Sequence, residues 1–199
     1  MCGIAGILRF DDKRSTELDV HHLLDYVRHR GPDGEQIRIA GPCALGHTRL
    51  SIIDLKGGLQ PMQAVAASGH GALTVVFNGE IYNHRELRSQ LESLGHQFQS
   101  NHSDTEVLLF AYRQWGPNFT KRLRGMFSFA LWDDSEKKLL LARDRIGQKP
   151  LFIRQTDKSI LFASQIPPLL TIQTPSINRA AMLTFLQLGY TSYDSLLNG

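Results

Sequence analysis

Residues 2–10 are apolar apart from two glycines and Arg9, a run short enough for a strand at the start of the chain. From 17 to 30 the spacing changes. Leu18, Leu23, Leu24 and Val27 recur at helical intervals, and Arg30-Gly31-Pro32 stops the helix. Short alternating runs at 36–40, 44–53 and 73–78 predict strands, and the stretches 56–61 and 64–72 predict loops. Asn83 predicts an N-cap with Glu86 as its capping-box partner, and Leu87, Leu91 and Leu94 form a stripe that ends at Gly95. Ser103-Asp104-Thr105-Glu106 opens a further helix, with Val107, Leu108, Ala111, Tyr112 and Trp115 on its faces and Gly116-Pro117 closing it. Strand-like runs follow at 126–132, 138–143, 151–154 and 160–163, the first two joined by a hairpin turn over 133–137. After Pro167-Pro168 come a loop and a helix over 178–188. Hairpin-spaced strands interrupted by a few helices predict an α+β fold of antiparallel sheets covered by helices, not a parallel doubly wound one.

Composition narrows the class. At 199 residues, 42% hydrophobic and 21% charged, the chain is long enough to bury a core without disulfide or metal staples. Lys plus Arg total 22 against 19 Asp plus Glu, a formal charge of +3. No run of five like charges makes a nucleic-acid arm, so no nucleic-acid partner is expected. No stretch of 18 apolar residues is present, so no membrane partner is expected either. The N-terminus lacks a basic segment ahead of its apolar run, and two cysteines are too few for a secreted framework, so a cytoplasmic location is expected.

Cys2 is the first candidate for chemistry. Removal of Met1 would put a thiol and a free α-amine on one residue, nucleophile and base together, since an α-amine of pKa roughly 7.7–8.0 accepts a proton near neutrality. The alternative is a small buried hydrophobe. Cys43, at the start of an apolar run, reads as core. Asn78-Gly79-Glu80 ends a strong apolar strand and reads as a turn or as an oxyanion hole. Arg49, inside an apolar run, faces solvent or clamps a carboxylate; Asp104, at a helix start, caps it or holds an ammonium group. The eight histidines form no metal pattern: His21, His22 and His29 have no acidic or cysteine ligand at matching spacing. No GxxxxGK[ST] or GxGxxG loop is present, and residues 143–149 suit a structured turn better than a phosphate track.

The order of these segments is more specific than any one of them. Cys2-Gly3-Ile4-Ala5-Gly6, Arg30-Gly31-Pro32-Asp33-Gly34, Gly46-His47-Thr48-Arg49-Leu50-Ser51-Ile52, Gln60-Pro61-Met62, Asn78-Gly79-Glu80-Ile81-Tyr82-Asn83 and Ser103-Asp104-Thr105-Glu106 occur in series. Gly125-Met126-Phe127-Ser128-Phe129-Ala130 and the segment from Ala142 to Leu151 complete it. Over residues 2 to about 163 the chain resembles the glutaminase domain of glutamine-hydrolysing asparagine synthetases, within the class II glutamine amidotransferases.

The resemblance implies the four-layer αββα sandwich of N-terminal-nucleophile hydrolases and hydrolysis of L-glutamine to L-glutamate and ammonia. It implies Cys2 as nucleophile with its α-amine as base, and Asn78 with the Gly79 N–H as oxyanion hole. Arg49 would hold the glutamine carboxylate and Asp104 its ammonium, with Leu50, Ile52, Ile53 and Glu80 lining the pocket and residues 30–34 closing over it. Gln148 stands where the family often carries an apolar residue. The family's SGGxDS pyrophosphate loop does not occur, so residues 2–170 are expected to be the glutaminase domain and 171–199 a linker and truncated start of a synthetase domain. No cofactor is expected in this domain, with ATP and Mg²⁺ belonging to the synthetase domain, which is the expected protein partner. A homodimer is left open. Two alternatives remain: a domain serving a non-aspartate acceptor such as a sugar carboxylate, or a catalytically silent regulatory module of the same fold.

Overall fold

The computed structural model describes residues 1–11, 13–50, 58–64, 71–100, 103–171, 175–191 and 196–198. In chain order the elements are β1 Gly3–Arg9, α1 Glu17–Asp25, β2 Gly34–Ala40, β3 Cys43–Arg49, β4 Met62–Ala64, β5 Leu73–Ile81, α2 His84–Ser93 and α3 Asp104–Trp115. They continue as β6 Gly125–Asp133, β7 Lys138–Arg143, β8 Phe152–Gln155, β9 Ser159–Ala163, β10 Ser176–Ile177, α4 Arg179–Leu188 and β11 Leu197–Asn198. One antiparallel sheet has the order β2-β3-β1-β9-β8 and the other β4-β5-β6-β7. β10 and β11 pair separately.

Period-two alternation turns these strands into four layers. On the first sheet Ala5, Ile7, Ala44, Leu161 and Ala163 pack under α1 against Val20, Leu23 and Leu24. Their neighbours Ile4, Cys43, Leu45 and Phe162 point the other way and meet Val76, Ala130 and Trp132 of the second sheet. The opposite face of that second sheet, Val75, Phe77, Phe127, Phe129 and Leu131, packs against α2 and α3 through Leu87, Leu91, Val107 and Leu108. Both faces of each central strand are therefore apolar. Each fully buried side chain of this kind contributes about 1.5–3 kcal/mol.

The expected elements are present, with instructive differences at their ends. The helix over 17–30 stops as an α-helix at Asp25 and ends in a 3₁₀ turn, Arg28–Arg30. Its capping box is Thr16 with Asp19, and its buried stripe uses Val20, while Leu18 is exposed. The capping box expected of Asn83 and Glu86 does not form. The Asn83 amide instead accepts from the Arg124 N–H and donates to the Arg122 carbonyl, because a backbone loop lies within its reach. Leu94, expected in the α2 stripe, is exposed. The strand expected over 44–53 ends at Arg49 in the described residues, and part of the loop expected over 64–72 is the end of β4. The hairpin turn at 133–137 holds, with Asp133 Oδ1 accepting the Ser135 and Glu136 N–H groups.

Candidate active site

The site begins at an open sheet edge. Among the described residues β4 pairs with β5 only from Ala64↔Leu73 to Met62↔Val75, and beyond Val75 no described strand lies beside that edge of β5. In an antiparallel ladder every second residue turns its N–H and C=O to the same side. Phe77 and Ile81 both do so here: the Phe77 N–H donates to Gln60 Oε1 at 2.6 Å, and the Ile81 N–H to Asp104 Oδ2 at 3.1 Å. Gly79 lies between them, and the alternation turns its N–H to that same open edge. A Cβ at Gly79 would lie 2.1 Å from the Met126 carbonyl oxygen, and φ is +156°, so only glycine fits this close approach.

The same alternation directs side chains. Asn78, two residues beyond Val76, points into the layer between the sheets; so do His47 and Arg49 on β3, two and four beyond Leu45. Cys2 precedes β1 by one residue and takes the face of Ile4. These side chains, with Glu80 and Met126, line one cavity of about 590 Å³ at the end of the inter-sheet layer. Gln60, Leu50, Asp104 and Lys149 also line it.

Cys2 is held from two sides. The Leu50 N–H donates to Sγ at 3.5 Å, and Arg30 Nε donates to the Cys2 carbonyl at 3.1 Å. Burial disfavours the charge on Arg30, lowering its pKa from the usual value, with Cys2 acting the other way. Gly31 makes this placement feasible, because a Cβ there would lie 2.2 Å from the Thr48 carbonyl carbon. Met1 lines the cavity ahead of Cys2, and its Sδ accepts from Lys149 Nζ at 3.0 Å. Cys43 lies in the inter-sheet core, where burial pushes its thiol pKa well up.

Two polar atoms in the wall have no hydrogen-bond partner among the described residues: Asn78 Nδ2 and His47 Nε2, each on a residue 2% exposed. Burial, with the Arg49 charge behind it, pushes the His47 pKa down to about 4, while the Phe77 carbonyl acts the other way. At the other end of the cavity Asp104 starts α3, but Ser103 is the cap, its Oγ accepting the Glu106 N–H. That leaves the Asp104 carboxylate to the Ile81 N–H and the cavity. Burial raises its pKa, against the Ile81 hydrogen bond and His84.

A cavity that joins a second-position cysteine, an orphaned amide donor and an Arg–Asp pair calls for comparison with known proteins. The family model for the glutamine amidotransferase domain matches residues 1–198. The chain belongs to that family.

As a glutamine amidotransferase domain, it is of the asparagine-synthetase type. It is 40% identical over 171 residues to asparagine synthetase [glutamine-hydrolyzing] 3 of Bacillus subtilis, covering 85% of this chain and 27% of that protein. The corresponding enzyme 1 of Bacillus subtilis is 34% identical over 202 residues, covering 100% of this chain and 31% of its own length. The chain thus spans about a third or less of these relatives. Its fold matches glutamine phosphoribosylpyrophosphate amidotransferase of Bacillus subtilis with a TM-score of 0.70 at 23% identity, over 84% of this chain and 43% of that one. The amidotransferase domain thus has that enzyme's fold, a four-layer αββα sandwich, and is an enzyme domain.

Of the residues singled out in the sequence, the fold brings Cys2, Arg49, Leu50, Asn78, Gly79, Glu80 and Asp104 to one cavity. Ile52 and Ile53 lie outside the described residues. His47, Gln60 and Lys149 line it as well and were not assigned roles; Arg30, assigned to a closing loop, bonds the Cys2 carbonyl directly. His47 had a sequence signal, two residues from Arg49 in an alternating strand and therefore on its face. Lys149 had none, since only the fold brings it to the N-terminus. Among the described residues no helix is long and apolar enough to cross a membrane, and no three His, Cys, Asp or Glu side chains group as metal ligands.

Proposed function

We propose that this domain hydrolyses L-glutamine to L-glutamate and ammonia with Cys2, freed of Met1, as nucleophile. The observation that carries the reading is the Asn78 amide: a buried Nδ2 donor without a partner among the described residues, in the cavity wall that Cys2 shares. A buried unpaired donor is costly and is retained where something must be bound there. The Gly79 N–H, turned to the same open edge, supplies the second donor of an oxyanion hole.

In this reading the Cys2 thiol gives its proton to the α-amine and the thiolate attacks the side-chain amide carbon. The carbonyl oxygen becomes an oxyanion facing Asn78 and Gly79. The α-ammonium then protonates the leaving nitrogen, the C–N bond breaks, and ammonia departs from a γ-glutamyl thioester. Water, giving a proton to the α-amine, adds to the thioester, which collapses to glutamate and the thiol. Arg49 pairs with the substrate carboxylate through a bidentate fork, and Asp104 with its ammonium, while Leu50 and Glu80 flank the chain between. Arg30 fixes the Cys2 backbone. In a protein of the relatives' length the ammonia would pass to a carboxylate activated with ATP and Mg²⁺, aspartate by analogy with the relatives' names, in a cytoplasmic synthetase.

The test is chemical. Protein with Met1 removed, verified by intact mass, is expected to release glutamate and ammonia in equal amounts, and Cys2→Ala to release neither. A glutamine-like diazo ketone is expected to alkylate Cys2 and spare Cys43. Turnover by Cys2→Ala would overturn the nucleophile assignment.

A further inference from the structure

The proposed mechanism leaves His47 unused. His47 sits on the inter-sheet face of β3, is 2% exposed, and the Phe77 backbone, which favours the protonated ring, presents its carbonyl to it. A carbonyl oxygen only accepts, so the ring nitrogen on that side carries the proton. The orphaned Nε2 is the other nitrogen and, in the neutral ring, a lone-pair acceptor. Burial and the neighbouring Arg49 charge keep the ring neutral.

The position of this acceptor is fixed by the peptide that also fixes the oxyanion donor. The Phe77–Asn78 peptide is gripped by His47 at its carbonyl and carries Asn78 next along the chain, and the Phe77 N–H is held by Gln60. His47 and Asn78 project into the same layer and line the same cavity, one offering an acceptor and the other a donor. A primary carboxamide needs that complement. Its oxygen seeks donors, and its NH₂, diverging from the same carbon, carries two N–H groups that seek acceptors. We propose that His47 Nε2 accepts an N–H of the substrate carboxamide, making His47 the residue that selects an amide by the hydrogen on its leaving nitrogen. A carboxylate or an ester offers no hydrogen there and sets oxygen lone pairs against Nε2. This deepens the glutaminase reading and rests on it.

His47→Asn tests the point, since the asparagine amide nitrogen can take the place of Nδ1 on Phe77 while nothing replaces Nε2. Processed His47→Asn protein is expected to lose about tenfold in kcat/KM for glutamine, the scale of one neutral hydrogen bond. Its kcat/KM for glutamate γ-methyl ester, which carries no N–H at the scissile group, is expected to stay within about twofold of wild type on the same estimate. Equal losses on the two substrates would overturn the proposal and make His47 a packing residue. A wild-type enzyme that hydrolyses neither would overturn the glutaminase reading itself. A second measurement leaves His47 in place: in Cys2→Ala protein labelled with ¹⁵N-histidine, glutamine is expected to shift the His47 Nε2 resonance and glutamate to leave it unmoved. A resonance indifferent to glutamine, or equally shifted by glutamate, would also overturn it.

Discussion

At the residue scale the site is a set of polar groups that pay for burial only when something is bound, and His47 shows what that does to the free protein. Its pKa is about 4 in the fold, pushed down by burial first and Arg49 second, against roughly 6.5 in the unfolded chain. Between those values the unfolded chain binds a proton that the folded one excludes, so this contribution to stability is complete above pH 6.5 and is lost as pH falls towards 4. At about 1.4 kcal/mol per pKa unit the loss reaches roughly 3 kcal/mol at pH 4. Denaturant midpoints for wild type and His47→Asn, compared at pH 7 and pH 4.5, are expected to converge as the pH drops. Equal acid sensitivity of the two would contradict a neutral buried His47. The sequence displayed this residue's face but not its partners: Arg49 at i+2 was readable, whereas the Phe77 carbonyl lies on another sheet, 30 positions along the chain.

At the element scale the active site is made by where strands stop. β4 begins only at Met62, leaving the β5 edge to Gln60, His47 and Asp104, and the 3₁₀ turn Arg28–Arg30 brings a guanidinium to the Cys2 carbonyl. The turn lies against β3 so closely that Gly31 has no room for a side chain, its Cβ position being 2.3 Å from the Thr48 carbonyl oxygen. Gly31→Ala must therefore displace backbone on one side or the other. It is expected to cost about 1–3 kcal/mol, as overpacking does, and to lower kcat more than stability alone accounts for, since Arg30 leaves the nucleophile. Thermal unfolding beside glutaminase kinetics checks this; a variant with wild-type kcat would show that Arg30 is dispensable. Periodicity made the strands and helices legible here, including the hairpin at 133–137. Their ends were less so: the α1 cap at Thr16 and the use of Asn83 as a loop tether depend on which backbone groups come within reach, and that is decided by tertiary packing.

At the scale of the whole molecule, the three apolar layers between α1, the two sheets and the α2–α3 pair account for the buried apolar side chains of the described residues except Ala181, and α4 stands outside them. Only Ala181 of that helix is buried, while Leu183 and Leu186 are 61% and 72% exposed. The short β10–β11 pair adds two residues of ladder on each strand, away from both main sheets. Burial of a single methyl side chain contributes on the order of 1 kcal/mol, and for a chain of this size that shifts Tm by about 2–4 °C. Residues 1–171 alone are therefore expected to unfold in one cooperative transition within a few degrees of the full chain, and to keep its glutaminase kcat/KM, because among the described residues the cavity lining ends at Lys149. Calorimetry and a glutamate-release assay on the two lengths make the comparison. A Tm lower by about 10 °C or more, several times the shift allotted to one buried alanine, would mean that α4 is part of the fold proper. The division expected from the sequence at residue 170 would then be wrong.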